Sequence, residues 1–221
     1  MSTTQPALER SGLSGQLWAA TRLLHTTAER SGIIARLLRG QATRRGYALL
    51  LRNLLGAYVA LESGLEAHRD TPGVFRLARP ETYRSVASAT DLRALAGEDW
   101  AASLPLLPEG ERYAIAVAQA AEVNGARLIA HAYVRTLGDL SGGQIVGDLL
   151  RRSLGLPEEA LSFYRFSAIA DIAAYKTDYR QALDAAGAEI ADPAAVVAEA
   201  ALAFRLNIAL SEAVAALVDR I

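Results

Sequence analysis

The chain has 221 residues, 52% hydrophobic and 21% charged, with a formal net charge of -1 and no cysteine. That length fits one domain or two small ones, and the apolar fraction is ample for a packed core, which excludes a disordered chain. A charge near zero argues against general nucleic-acid binding, which needs clustered Lys and Arg on many phosphates. The lack of cysteine excludes disulfides, Cys zinc sites, iron–sulfur clusters and a thiolate nucleophile.

The N-terminus, MSTTQPALERSG, is polar and has no apolar signal core. Residues 1–12 are expected to form a flexible tail, and residues 13–221 a single folded unit. A first helix is predicted from Leu13 to Arg30, with Leu17, Thr21, Leu24 and Ala28 on one stripe. Ser31-Gly32 ends it, and a short helix follows from Ile33 to Leu38. Thr43 to Ala67 reads as a long helix with Leu50, Leu54, Ala57, Leu61 and Leu65 on its apolar face. Pro72 marks a loop, and Pro80-Glu81 can open a helix because Pro suits the first turn.

A further helix is expected from Asp91 to Leu95. A long apolar one is expected to begin near Glu111, run to Leu137 and continue through Gly138-Asp139-Leu140-Ser141-Gly142-Gly143 to Leu154. Two last helices are predicted over Ala168–Ala186 and Pro193–Val218. The final stretch is strongly apolar but carries Arg205, Asn207, Glu212, Asp219 and Arg220, so it reads as an amphipathic helix and not as a membrane anchor. Ala, Leu, Arg and Glu dominate throughout, and no alternating Val/Ile/Thr runs suggest strands. The fold class is therefore all-α, with about eight helices.

Several chemistries are excluded by inspection. The only lysine, Lys176, follows Tyr175, so there is no Walker phosphate loop; GxGxxG, GxSxG and HExxH motifs are also missing. The residues three before His25, His68 and His131 are Arg22, Leu65 and Leu128, which removes the Glu-x-x-His pairs of di-iron bundles. What is left is a binding module, or an enzyme whose chemistry comes from a cofactor.

Two features stand out. His25 lies beside the apolar stripe of the first helix, where an imidazole can ligate haem iron or simply pack. Gly138, Gly142 and Gly143 place three glycines in six residues of a helical context, at roughly 0.8–1 kcal/mol each relative to alanine. Gly138 and Gly142 share a face without side chains, which a flat group can approach closely. A break between two helices or close helix packing would use glycine in the same way. Together the histidine and the bare face suggest a planar cofactor between two helices.

The segment Tyr133-Val-Arg-Thr-Leu-Gly-Asp-Leu-Ser-Gly-Gly-Gln144 closely resembles the signature of the haem oxygenase family. The resemblance extends through Leu17–Glu29, Gly40–Arg44, Tyr58–Glu62, Pro80-Glu81, Tyr175–Arg180 and Ala203–Asn207. It implies an all-α fold holding haem between a proximal and a distal helix, and oxidative opening of haem to biliverdin with release of CO and ferrous iron. By the same resemblance His25 is the iron ligand, steadied by Glu29. Gly138, Gly142 and Gly143 let the distal helix pass over the ring. Asp139 is the distal carboxylate that orders water and supplies protons. Arg135, Tyr58 and Asn207 belong to its hydrogen-bonded network. Tyr133, Arg22, Lys176 and Arg180 meet the propionates, and Phe204 forms an aromatic wall.

Two positions depart from vertebrate members: Trp18 replaces a basic residue, and Val134 replaces a threonine. Each change bears on rate or on which meso carbon is attacked. His68 and His131 are assigned no ligand role. The resemblance further implies dioxygen as co-substrate, an electron donor such as a ferredoxin or a flavin reductase, and cleavage at the alpha position. The missing membrane tail of vertebrate members suggests a soluble bacterial type, cytoplasmic, and a monomer or weak dimer. The rival reading is a haem carrier on the same fold. A hydrolase of the related thiaminase-like fold would need a nucleophile such as cysteine, which this chain lacks.

Overall fold

The computed structural model describes residues 12–220. The expected tail therefore lies outside the described residues, apart from Gly12. Among the described residues there are ten α-helices, four short 3-10 turns and no strand. They are α1 (Leu13–Arg30), α2 (Gly32–Leu38), α3 (Arg44–Ala67), α4 (Ser85–Ala96), α5 (Trp100–Ser103), α6 (Pro108–Ala120), α7 (Leu128–Asp139), α8 (Gly142–Leu154), α9 (Ile172–Glu189) and α10 (Pro193–Val218). The two longest, α3 and α10, form the centre. α3 packs on α4, α6 and α7, and α10 packs on α1, α2, α3, α6 and α7. The apolar face predicted for α3 is buried throughout, from Leu50 to Leu65.

Three of the ten helices, α3, α9 and α10, start on a local side-chain cap. Thr43 Oγ1 accepts from Gly46 N at 3.0 Å, Asp171 Oδ1 from Ala173 N and Ala174 N, and Asp192 Oδ1 from Ala195 N. Two others, α4 and α1, take their caps from a distant element. The helix expected over Asp91–Leu95 begins at Ser85, because Glu62 on α3 accepts from Arg84 N at 2.6 Å and Ser85 N at 2.8 Å. Asp184 on α9 does the same for α1, taking Ser14 N at 2.8 Å.

The long helix expected from Glu111 to Leu154 is three helices. α6 stops at Ala120, and residues 121–127 turn with Val123 and Gly125 both at φ 67°. A side chain on Gly125 would run into the His68 ring, whose Nε2 donates to Ala121 O at 2.7 Å. The role of His68 is thus structural, capping the end of α6 from the end of α3. The second break is short, with Leu140 and Ser141 separating α7 from α8. Pro80 opens only a 3-10 turn, Pro80–Thr82. These divisions, with the four-residue α5, account for ten helices where about eight are expected.

His131, on α7, is fully buried, and its Nε2 lies 3.0 Å from Glu199 Oε1 on α10. Arg127 reaches the other oxygen of Glu199 at 3.4 Å. Burial opposes ionisation of Glu199, but these two partners outweigh it and hold the carboxyl below the usual glutamate range. A carboxylate with a lowered folded pKa contributes stability that is complete above its unfolded pKa and fades as pH falls through the folded one. We expect Glu199→Gln to be less stable than the parent chain by a constant amount from neutral pH down to about 5. The gap should close as pH falls below about 4. Urea unfolding across that range measures it, and a gap that persists in acid would show that the charge of Glu199 contributes nothing.

Candidate active site

Between α1 and the α7–α8 pair lies a cavity of about 760 Å³. Leu50, Leu51 and Leu54 of α3 line it, as do Phe163 and Tyr164 from the 3-10 turn Ser162–Tyr164. α10 contributes Phe204 and Asn207, and α9 contributes Arg180.

One wall is α1, which turns Trp18, Arg22, His25 and Glu29 toward the cavity. His25 Nδ1 lies 3.7 Å from Glu29 Oε1, one turn on, and the Phe204 ring meets the imidazole edge-on at 6.0 Å. The side chain of His25 is 56% exposed, and its Nε2 has no protein partner among the described residues. The arrangement leaves one imidazole nitrogen open for a ligand, with the ring oriented from behind.

The wall formed by α7 and α8 carries Val134, Leu137, Ser141 and Val146, and between them two bare positions. A Cβ built on Gly138 or Gly142 would meet nothing within 4 Å, so both positions face open space. Gly143 also borders the cavity, but its missing side chain serves another contact: a Cβ there would come within 3.1 Å of the Tyr164 ring, and one on Gly147 within 3.0 Å of Tyr164 Cβ. α8 therefore rests on Tyr164, while Gly138 and Gly142 leave the cavity side clear. A flat group can lie between the imidazole and this backbone at van der Waals distance.

Asp139 ends α7 at the edge of that bare wall. It is 5% exposed and both oxygens are engaged. Tyr58 Oη, from α3, donates to Oδ2 at 2.6 Å, and Arg135 Nη2 donates to Oδ1 at 3.1 Å. Arg135 Nε also donates to Tyr58 Oη at 2.8 Å, and its Nη1 to Asn207 Oδ1 at 2.9 Å. All four residues singled out as the distal network thus meet, although they come from three helices. Burial pushes the Asp139 carboxyl above the usual aspartate range, against the pull of Arg135, Tyr58 and Arg84. Burial also raises the Tyr58 phenol far up, so it stays a neutral donor. Burial works against the Arg135 cation, but Tyr58 and Asp139 outweigh it.

The basic group is less compact than the network. Arg22 and Arg180 line the cavity, and so does Tyr133, whose hydroxyl lies 3.3 Å from Thr21 Oγ1 and ties α7 to α1. Lys176 is not in the cavity wall; its Nζ lies 3.4 Å from Ser141 Oγ, which is. Sequence reasoning missed the residues that hold the Phe163-Tyr164 turn. Asp91 accepts from Ser162 N at 2.7 Å, Phe163 N at 2.9 Å and Tyr47 Oη at 3.2 Å. Arg84 donates to Phe163 O and Arg165 O and lies over the Phe166 ring. No local motif announces either residue, because the backbone groups of the turn that they hold are more than seventy positions away.

A cavity that joins an open imidazole to bare backbone, with a buried carboxylate network beside it, has the form of a site for a flat group. The sequence model of the heme oxygenase family matches residues 11–213. The chain is 35% identical to heme oxygenase 1 of Homo sapiens over 215 residues, which is 96% of this chain and 75% of that protein. It is 33% identical to heme oxygenase 1 of Nostoc sp. over 198 residues, covering 89% of this chain and 83% of that one. Among solved structures, heme oxygenase-1 of Synechocystis sp. in complex with heme superposes with a TM-score of 0.88 at 31% identity, over 95% of both chains. Heme oxygenase of Leptospira interrogans superposes with a TM-score of 0.85 at 32% identity, over 91% of this chain and 99% of that one. The chain belongs to the haem oxygenase family, and it is an enzyme of haem degradation.

Removing one partner of a buried ion pair leaves the other charge uncompensated. We expect Arg135→Ala to cost about 3–5 kcal/mol of unfolding free energy, and Arg135→Ala/Asp139→Ala to cost less than the sum of the single changes. A double-mutant cycle by denaturant titration tests this; additive losses would mean that the pair is not coupled.

Proposed function

We propose that this chain binds haem in the 760 Å³ cavity with His25 as its axial iron ligand, and opens it to biliverdin, CO and ferrous iron. The observation that carries the reading is that His25 shares one cavity with the clear backbone of Gly138 and Gly142, with Asp139 beside them. When bound, haem supplies both the iron at which dioxygen is activated and the meso carbon that is attacked.

The protein's own part is binding, orientation and proton control. Glu29 stands behind His25 Nδ1 and favours the tautomer with its proton there, which leaves the Nε2 lone pair for iron. Phe204 limits rotation of the ring. The glycine wall offers no second protein ligand, so the distal side is left to dioxygen and water. Arg135 and Tyr58 fix both oxygens of Asp139 and hold the carboxylate at the cavity edge, where it orders a water and passes a proton to oxygen on the distal side. Asn207 fixes the far end of the Arg135 guanidinium and keeps the fork planar against both partners.

Arg22, Arg180, Tyr133 and Lys176 receive the propionates at the rim, by charge and hydrogen bonding. That anchoring underlies our assignment of cleavage to the alpha position. Electrons come from a ferredoxin or a flavin reductase, and the chain works in the cytoplasm as a monomer or weak dimer.

The test is an absorption time course of the haem-reconstituted protein with reductant in air. The haem Soret band is expected to decay as a biliverdin band grows. Asp139→Ala should keep haem binding and lose biliverdin formation by about two orders of magnitude or more, the usual effect of losing a positioned proton donor. His25→Ala should lose the axial-histidine spectrum. Full biliverdin yield from Asp139→Ala would remove that residue from catalysis. A haem spectrum that stays unchanged under reductant, with a ferredoxin system also supplied, would mean a carrier and not a catalyst.

A further inference from the structure

The turn between α6 and α7 has no part in the chemistry above. It contains Glu122-Val123-Asn124-Gly125, between the end of α6 at Ala120 and the start of α7 at Leu128. Val123 is 99% exposed, and Asn124 beside it is exposed as well. Val123 and Gly125 both stand at φ 67°. That region suits glycine and is unfavourable for a β-branched residue. The turn thus sets an exposed carboxamide between strained backbone on one side and a glycine on the other.

The chain has three asparagines, and their surroundings differ. Asn53 is fully buried in α3, where its Nδ2 donates to Leu49 O at 2.9 Å and its Oδ1 accepts from Leu107 N at 2.6 Å. Asn207 lies in α10 and holds Arg135 Nη1. Each is followed by a bulky residue, Leu54 or Ile208, whose amide nitrogen belongs to a helix interior. Asn124 has neither protection. Its Oδ1 accepts from Ala126 N at 3.1 Å, and this local turn folds the carboxamide back along the main chain, over the Gly125 amide. Gly125 N itself is held by a long bond, 3.4 Å to Glu122 O. With no side chain on Gly125, nothing there blocks the approach of Asn124 Cγ to that nitrogen.

We propose that Asn124 is a site of spontaneous covalent modification, deamidation through a cyclic imide, and that its product loosens the start of α7. Gly125 N attacks Asn124 Cγ. The N–Cγ bond forms, the Cγ–Nδ2 bond breaks, and the Gly125 amide proton leaves with Nδ2 as ammonia. Water then opens the ring at either carbonyl to give aspartate or isoaspartate, and nothing is oxidised or reduced. Opening at the main-chain carbonyl routes the backbone through the former side chain and lengthens it by one carbon. The turn has no room for that without shifting Gly125. A Cβ on Gly125 would come within 2.5 Å of the His68 ring, and Gly125 O accepts from Leu128 N at 2.9 Å where α7 begins. The isoaspartyl form therefore unseats the first turn of the helix that carries Arg135 and Asp139. This holds whatever the cavity binds.

The experiment stores the folded chain in neutral and in mildly alkaline buffer, warm but below its unfolding transition, and follows ammonia release and peptide masses. The acid form should accumulate at Asn124, with isoaspartate in excess of aspartate and faster in the alkaline sample. Asn53 and Asn207 should keep their amides. Aged parent chain should unfold at lower urea than fresh chain, whereas Asn124→Gln, whose longer side chain disfavours the ring, should hold its midpoint over the same storage. A sample stored in urea gives the rate for the unfolded chain. An Asn124 that keeps its amide in the folded chain overturns the proposal, and loss in urea alone would show that the turn protects it. Equal loss at Asn53 or Asn207 in the folded chain overturns it too, as does an isoaspartyl fraction that unfolds where fresh chain does.

Discussion

The site depends on keeping a carboxylate ionisable where little water reaches it. Asp139 is buried, and an isolated buried carboxylate gives up its charge or its place. Arg135 solves this from the same helix, four residues back, where the geometry of α7 brings the two side chains together. A single cation would leave a mobile pair. Tyr58 from α3 and Asn207 from α10 each take a further hydrogen bond, so the guanidinium is fixed at three edges. The network therefore requires α3, α7 and α10 to hold their relative positions, which is what the central packing of α3 and α10 provides.

The two walls of the cavity make opposite use of side chains. α1 presents an aromatic, a cation, an imidazole and a carboxylate in succession along one stripe. α7 and α8 present bare backbone at Gly138 and Gly142. Under the proposed binding of haem, selectivity for a flat substrate follows from this asymmetry: one side supplies recognition and an open imidazole, and the other supplies close approach.

Much of this was legible in the residues. Helical content, the apolar face of α3, the bounds of α1 and α10, and the bare face of Gly138 and Gly142 follow from periodicity and from the conformational meaning of glycine. The membership of Tyr58 and Asn207 in the Asp139 network was reachable only through family resemblance, since nothing local links residues 58, 139 and 207. What stayed illegible shares one physical cause. The start of α4, the break after α6, and the anchoring of Phe163 and Tyr164 are decided by Glu62, His68 and Asp91, and each acts on backbone groups far away in sequence. Local propensity cannot see a cap that arrives from another helix.

The same remote caps explain how a glycine-rich distal helix stays in place. Glycine weakens helices, and α8 starts with two adjacent glycines and has a third at Gly147. Gly143 and Gly147, one turn apart, seat directly on the Tyr164 side chain, and Gln144 Nε2 donates to Tyr164 O at 2.9 Å. Tyr164 in turn stacks on Tyr47, meets Phe163 edge-on, and belongs to the turn that Asp91 and Arg84 hold from both sides. The stiffness α8 lacks by composition is thus supplied by the floor beneath it. Removal of side chains is what permits that contact: on one side of α8 glycine leaves room for a tyrosine ring, and at Gly138 and Gly142 it leaves room for the substrate.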